Sequence, residues 1–206
     1  IVTCPLEYGT TGIEPEEKVL FTQPGMRYCQ AQALVHALMK DEYFASLAET
    51  EKDRISQRLL EEVRGRMLED IVLLETSKAL GENYKVFQLR FETGEYDMVI
   101  RNKKNDTCAV YEIKHSDKLV REQARHLRNP EMLRLTSPRF GKLVGRFVLY
   151  LGDGQNMEDG VAYRNVERFL KSLPKITLES GLEMSDLEQE EQEEEHELEQ
   201  GPTFSM

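Results

Sequence analysis

The stretch from 84 to 115 constrains this chain more than any other. Within 84–92, Val86, Gln88 and Arg90 alternate with Phe87, Leu89 and Phe91. A Thr93-Gly94 turn then precedes 96–102, and a polar loop at 103–106 precedes the run 107–115. Side chains along a strand point alternately to its two faces, and short segments of this kind joined by tight turns pair with each other. The pattern predicts a three-stranded antiparallel meander, and a meander with apolar residues on both faces needs cover from elsewhere in the chain.

The flanking sequence supplies helical periodicity for that cover. From 27 to 48, Ala31, Leu34, Val35, Leu38 and Met39 recur at three- and four-residue spacing, which predicts an amphipathic helix; 49–63 predicts another on Ile55, Leu59 and Leu60. Gly65 reads as a break before a strongly apolar helix over 66–80, closed by Gly81. Beyond the meander, Asp117 is placed to cap a helix over 118–127, and 143–151 has the short apolar character of a buried strand. Gly152-Asp153-Gly154 turns the chain. Residues 161–173 read as a short strand and then a helix on Val166, Phe169 and Leu170, ended by Pro174. Residues 1–26 carry Pro5, Pro15 and Pro24 without sustained period and read as an extended arm. The expected organisation is an arm over 1–26, a helical segment over 27–62, an α/β core over 63–173 and an acidic tail over 174–206.

Composition narrows the function. The formal net charge is −11, which would oppose a polyanionic partner if it were spread over the fold. It is concentrated instead: 11 of the 38 acidic residues lie in 179–206, where there is no Lys or Arg, so the remainder carries 27 acidic against 27 basic side chains. That tail has too little apolar surface to offset its ordering entropy and is expected to be disordered. Cys4, Cys29 and Cys108 are odd in number and widely spaced, which suggests neither a disulfide framework nor a tetrahedral zinc site. No run approaches a membrane span and no signal-peptide pattern opens the chain, so a cytoplasmic protein is expected. The start on Ile1 suggests a piece of something longer. No phosphate-cradling or dinucleotide-binding glycine motif is present, and the oligomeric state is left open.

In the third predicted strand Val110, Glu112 and Lys114 share one face. Asp97 lies early in the preceding strand, about 4.8 Å away if the register allows, so two acids and a lysine would converge. Neighbouring carboxylates repel unless a cation lies between them, and oxygen ligands of this kind suit Mg2+ or Mn2+. Such an ion polarises a phosphodiester and lowers the pKa of a bound water, while an ammonium stabilises the developing charge. Without Asp97, a Glu-x-Lys tripeptide is only a strand-edge ion pair. Glu69, on the helix before the meander, is a third acid, with Asp70 and Glu75 as rivals that periodicity alone does not separate. His115 and His126 flank the motif and read as hydrogen-bonded structural residues.

A helix with an inward Glu, a meander with Asp on its second strand and Glu-x-Lys on its third, then a helix and a strand, resembles the PD-(D/E)xK, or restriction-endonuclease-like, nuclease superfamily. The resemblance implies an αβββαβ core with a mixed central sheet. It also implies a metal-dependent nuclease acting on DNA, with Asp97, Glu112 and Glu69 as metal ligands and Lys114 as the catalytic lysine. Gln123 resembles the glutamine of the RecB-like branch, although Leu127 stands where that branch has tyrosine. Phe21-Thr22-Gln23-Pro24-Gly25-Met26-Arg27-Tyr28, the run from Gly65 to Thr76, and Tyr111-Glu112-Ile113-Lys114-His115-Ser116 look like the nuclease-like C-terminal domain found behind AAA-type ATPase modules. That likeness spans roughly residues 20 to 173 and implies an upstream ATPase partner. Between 118 and 146, eight Lys or Arg face only Glu122 and Glu131. Lys118, Arg121, Arg125 and Arg128, with Gln123 among them, are candidate nucleic-acid contacts, because Arg121, Arg125 and Arg128 recur at helical spacing and would line up as one cationic stripe. The same stripe also fits a solvated helix face.

Overall fold

The meander forms β3 (Tyr84–Phe91), β4 (Gly94–Asn102) and β5 (Thr107–Ile113), each antiparallel to the next, in a computed structural model that describes residues 2–178. After β5 the chain crosses over through two 3₁₀ turns (Arg121–Ala124 and His126–Arg128) and α3 (Pro130–Phe140). It returns as β6 (Lys142–Tyr150), parallel to β5. A two-residue β7 (Gln155–Asn156) and β8 (Ala162–Asn165) follow, and α4 (Val166–Leu178) completes the described chain.

Before the meander lie β1 (Val2–Tyr8), β2 (Glu16–Leu20), α1 (Pro24–Met39) and α2 (Glu49–Ala79). The strands of the described residues join one mixed eight-stranded sheet in the order β2-β1-β3-β4-β5-β6-β8-β7.

The alternation of apolar residues explains why both faces are covered. Val86, Met98, Ile100, Tyr111 and Ile113 pack with Val72 and Leu73 of α2 and with Val166, Phe169 and Leu173 of α4. Phe87, Leu89, Tyr96, Val99 and Val110 face the other way and pack with Ala124 and Leu127 of the 3₁₀ turns and with Met132 and Phe140 of α3. Each fully buried side chain of this size contributes roughly 1.5–3 kcal/mol by leaving water, so the sheet is a rigid support for whatever its ends present.

Four sequence expectations are corrected. The 1–26 arm is two strands of the sheet: β1 pairs parallel with β3 from Leu6↔Gln88 to Tyr8↔Arg90 and antiparallel with β2, burying Cys4, Leu6 and Leu20. The break at Gly65 is absent, and 49–79 is one 31-residue helix. Burial of its second half outweighs the roughly 1 kcal/mol that a helical glycine costs. The helix expected over 118–127 is replaced by the two 3₁₀ turns, whose three-residue period places Ala124 and Leu127 together in the core, both fully buried. The helix in this crossover is α3 instead: the Asn129 side chain accepts from the N–H groups of Glu131 and Met132, and Pro130 sits in its first turn. Of the segment read as an acidic tail, 174–178 continue α4 past Pro174, and the remainder lies outside the described residues.

Candidate active site

The site begins with an irregularity in β4. Phe87 faces Val99 and Leu89 faces Tyr96, so β4 takes three residue steps where β3 takes two. The surplus residue is a β-bulge, which bends the strand and re-aims side chains. Its effect is visible in Tyr96 and Met98, which are two residues apart yet belong to opposite cores. Asp97 lies between them and is 6% exposed. The β4–β5 pairing stops at Met98↔Tyr111. Past that point Asp97 Oδ2 takes the place of a backbone acceptor and receives the Ile113 N–H at 2.7 Å.

Lys114 follows directly after β5, and its backbone N–H donates to the Leu149 carbonyl at 2.8 Å, so the chain is still held beside β6 there. Its Nζ lies 3.0 Å from Asp97 Oδ2 and 2.6 Å from Glu112 Oε2. The expected convergence of Asp97, Glu112 and Lys114 is therefore formed, with Lys114 between the two acids. The Glu112 side chain is buried, while that of Lys114 is 29% exposed, so the lysine end is where solvent and ligand reach the group.

Charge is unbalanced within it. Burial, and then the charge of Glu112, push the Asp97 carboxyl from an ordinary 3.8 up to about 7, against the opposing pull of Lys114. Burial works against the Lys114 ammonium, but Asp97 and Glu112 outweigh it and hold its pKa above the ordinary lysine value.

The three acids of α2 separate clearly. Asp70 is buried and ion-paired to Arg27 at 2.6 Å and Lys18 at 3.3 Å, which ties α1 and β2 to α2. Glu75 pairs with Lys78 on the surface at 2.9 Å. Glu69 is half-buried; burial raises its pKa, Lys18 and Lys114 lower it, and its charge in turn raises that of Asp97. Among the described residues Glu69 joins no group of three His, Cys, Asp or Glu side chains that could hold a metal, and what it lends the site is the through-space charge felt by Asp97.

One neighbour went unread in the sequence as a site residue. His126 Nδ1 lies 3.0 Å from Glu112 Oε1, on the carboxylate oxygen opposite Lys114. The Arg125 Nε–H donates to His126 Nε2 at 3.1 Å. The ring lies over Gly94, where a Cβ would fall 2.7 Å from His126 Nε2, so the glycine of the β3–β4 turn leaves the space that the imidazole fills. Nothing in the spacing of His126 signals this, because the contact depends on the 3₁₀ turns crossing β4.

The basic residues are dispersed. Lys118, Arg121 and Arg125 are exposed and Gln123 is half-buried, its Oε1 enclosed without a hydrogen-bond partner. Arg128 turns inward: its Nε–H donates to Asp159 Oδ2 at 2.5 Å and its Nη1–H to the Arg121 carbonyl at 2.7 Å. The single stripe expected of Arg121, Arg125 and Arg128 is thus not formed, because the segment is not an α-helix.

Comparison with protein-family models and with curated proteins finds no match. The assignment of chemistry rests on the site itself. Among the described residues no three His, Cys, Asp or Glu side chains are grouped closely enough to form a ready cage for a metal. Mg2+, however, commonly binds through one or two carboxylates and completes its shell with water and phosphate oxygens. Two buried carboxylates with an excess of negative charge fit that requirement, and Asp97 and Glu112 are the residues that would hold such an ion.

Proposed function

We propose that this chain is a metal-dependent phosphodiester hydrolase of restriction-endonuclease-like architecture acting on DNA, and that it works with an AAA-type ATPase module. The observation that carries this reading is the convergence of Asp97 and Glu112 on Lys114 Nζ at 3.0 and 2.6 Å, where β4 bulges and β5 ends. The order α2, β3, β4, β5, α3, β6 supports the αβββαβ core that the sequence resemblance implies.

Bound at Asp97 and Glu112, Mg2+ or Mn2+ would supply Lewis acidity and a more acidic water. Asp97, anchored by the Ile113 N–H, keeps its carboxylate fixed while its charge is shared. Lys114, partly exposed, offers its ammonium to a phosphoryl oxygen or to the attacking water, where it offsets charge as it develops. Glu69 adds negative potential from the α2 layer and favours a cation. Lys118, Arg121 and Arg125, all exposed, are available to backbone phosphates.

The test is cleavage of supercoiled and branched DNA with Mg2+ or Mn2+, comparing the parent chain with Glu112→Gln and Lys114→Ala. Loss of cleavage in both variants, with circular dichroism unchanged, is expected; cleavage unaffected in either one refutes the assignment. A catalytically silent nucleic-acid-binding module is the second reading, favoured by the ammonium that already bridges the two acids. It requires DNA binding that weakens with salt, without measurable metal binding.

A further inference from the structure

Glu112 is held from two sides, and only one side is explained by the proposed chemistry. Lys114 takes Oε2 at 2.6 Å; Oε1 meets His126 Nδ1 at 3.0 Å. The proton between Oε1 and Nδ1 is placed by the next residue in the chain. Arg125 Nε can only donate, so His126 Nε2, which it contacts at 3.1 Å, must be the unprotonated nitrogen. In the neutral ring the other nitrogen then carries the hydrogen, and Nδ1–H donates to Glu112. Arg125, His126, Glu112, Lys114 and Asp97 form a continuous chain of donors and acceptors from the exposed crossover into the buried site.

We infer that His126, its tautomer set by Arg125, is a positioning residue that fixes the orientation of the Glu112 carboxylate and leaves Oε2 directed to the metal and substrate side. The inference rests on the proposed reading in so far as Glu112 is taken as a metal ligand. A carboxylate buried to this degree with one oxygen unsupported would rotate to satisfy both lone-pair sets on whatever donor is nearest. A donor on Oε1 removes that freedom, and outer partners of this kind typically change metal affinity by about 10–100-fold when lost. The arrangement also accounts for Gly94, since any side chain there displaces the ring.

Two measurements on the full chain test this. The first needs no metal. Long-range 1H–15N correlation spectra of the uniformly labelled protein, which has four histidines, should show His126 protonated at Nδ1 and bare at Nε2; a ring protonated at Nε2 overturns the inference. An unchanged tautomer in Arg125→Ala overturns the part given to Arg125. The second is Mn2+ affinity by calorimetry and by electron paramagnetic resonance. His126→Ala is expected to weaken binding by about 10–100-fold. His126→Asn places an amide N–H where Nδ1–H was and is expected to restore most of the loss. Both variants remove the same ring packing over Gly94, so a merely structural role would weaken them equally, and that result overturns the inference. A parent chain that binds no Mn2+ refutes the assignment of Asp97 and Glu112 as metal ligands, while the tautomer measurement still decides the His126 contact.

Discussion

Asp97→Asn isolates the electrostatic imbalance of the site, and its effect on stability has a definite sign. Asp97 has a folded-state pKa raised from 3.8 to about 7, first by burial and then by Glu112. Between those values the folded chain holds a proton that the unfolded chain has released, so stability falls as pH rises through the window. The full rise corresponds to on the order of 4 kcal/mol, present below about pH 4 and lost above about pH 7. Lys114, also raised, acts only above the ordinary lysine range and does not contribute here. Asparagine keeps an oxygen acceptor for the Ile113 N–H but has no charge to bury. The assay is urea denaturation of both chains from pH 4 to pH 8 in chelator, taking the difference so that carboxylates remote from Asp97 cancel and the remainder belongs to Asp97 with its coupled neighbours Glu112 and Glu69. The parent should be comparable to or more stable than the variant at pH 4 and lose ground steadily to pH 8. Added Mg2+ at pH 8 should then recover stability in the parent and much less in the variant, since binding to the folded state stabilises by mass action. A difference that stays flat, or that rises with pH, refutes an Asp97 whose burial outweighs its pairing with Lys114.

Two further outcomes probe the parts of the fold that the sequence obscured. Gly65 lies inside α2, and a Cβ there would meet nothing within 4 Å; Gly65→Ala should therefore stabilise the chain by about 0.5–1 kcal/mol in thermal or urea melts, whereas a helix break at Gly65 with left-handed backbone would make the same change destabilising. Arg121→Ala with Arg125→Ala should weaken DNA binding and flatten its salt dependence with little change in melting temperature, while Arg128→Ala, which loses Asp159 and the Arg121 carbonyl, should lower stability by roughly 1 kcal/mol and leave the salt slope unchanged.

What the sequence made legible follows from the range of the interactions involved. The meander was readable because alternation and short turns are local, and Asp97, Glu112 and Lys114 were readable because they sit on that meander. β1 was not. Its partner β3 is some eighty residues away, and Pro5 with the charged run at 14–18 has the local character of a loop. Pro5 is tolerated because the pairing with β3 starts only at Leu6. Gly65 misled because an intrinsic preference near 1 kcal/mol is small beside the burial of Val72, Leu73 and Leu74 on the same helix. Setting Asp70 and Glu75 apart from Glu69 also required three dimensions, since only the positions of Lys18, Arg27 and Lys78 show that those two acids are ion-paired elsewhere. α3 had a readable cap in Asn129-Pro130, but Asp117 offered a competing cap and suggested a helix one segment too early.

The position of the site follows from where the sheet stops pairing. The β4 bulge ends the β4–β5 ladder at Met98↔Tyr111 and leaves the Ile113 N–H without a backbone acceptor. Asp97 supplies that acceptor with its side chain, which fixes a carboxylate in the sheet interior. The same interruption leaves room for Glu112 and Lys114 to face Asp97 directly. Each layer covering the sheet then contributes one group: α2 brings the charge of Glu69, and the 3₁₀ turns opposite bring His126 to the far oxygen of Glu112. Restoring regular pairing by deleting the bulge residue would turn Asp97 out of register and satisfy Ile113 by backbone. The site therefore lies where a side-chain acceptor replaces a ladder hydrogen bond, which ties the placement of Asp97 to the irregularity of the strand itself.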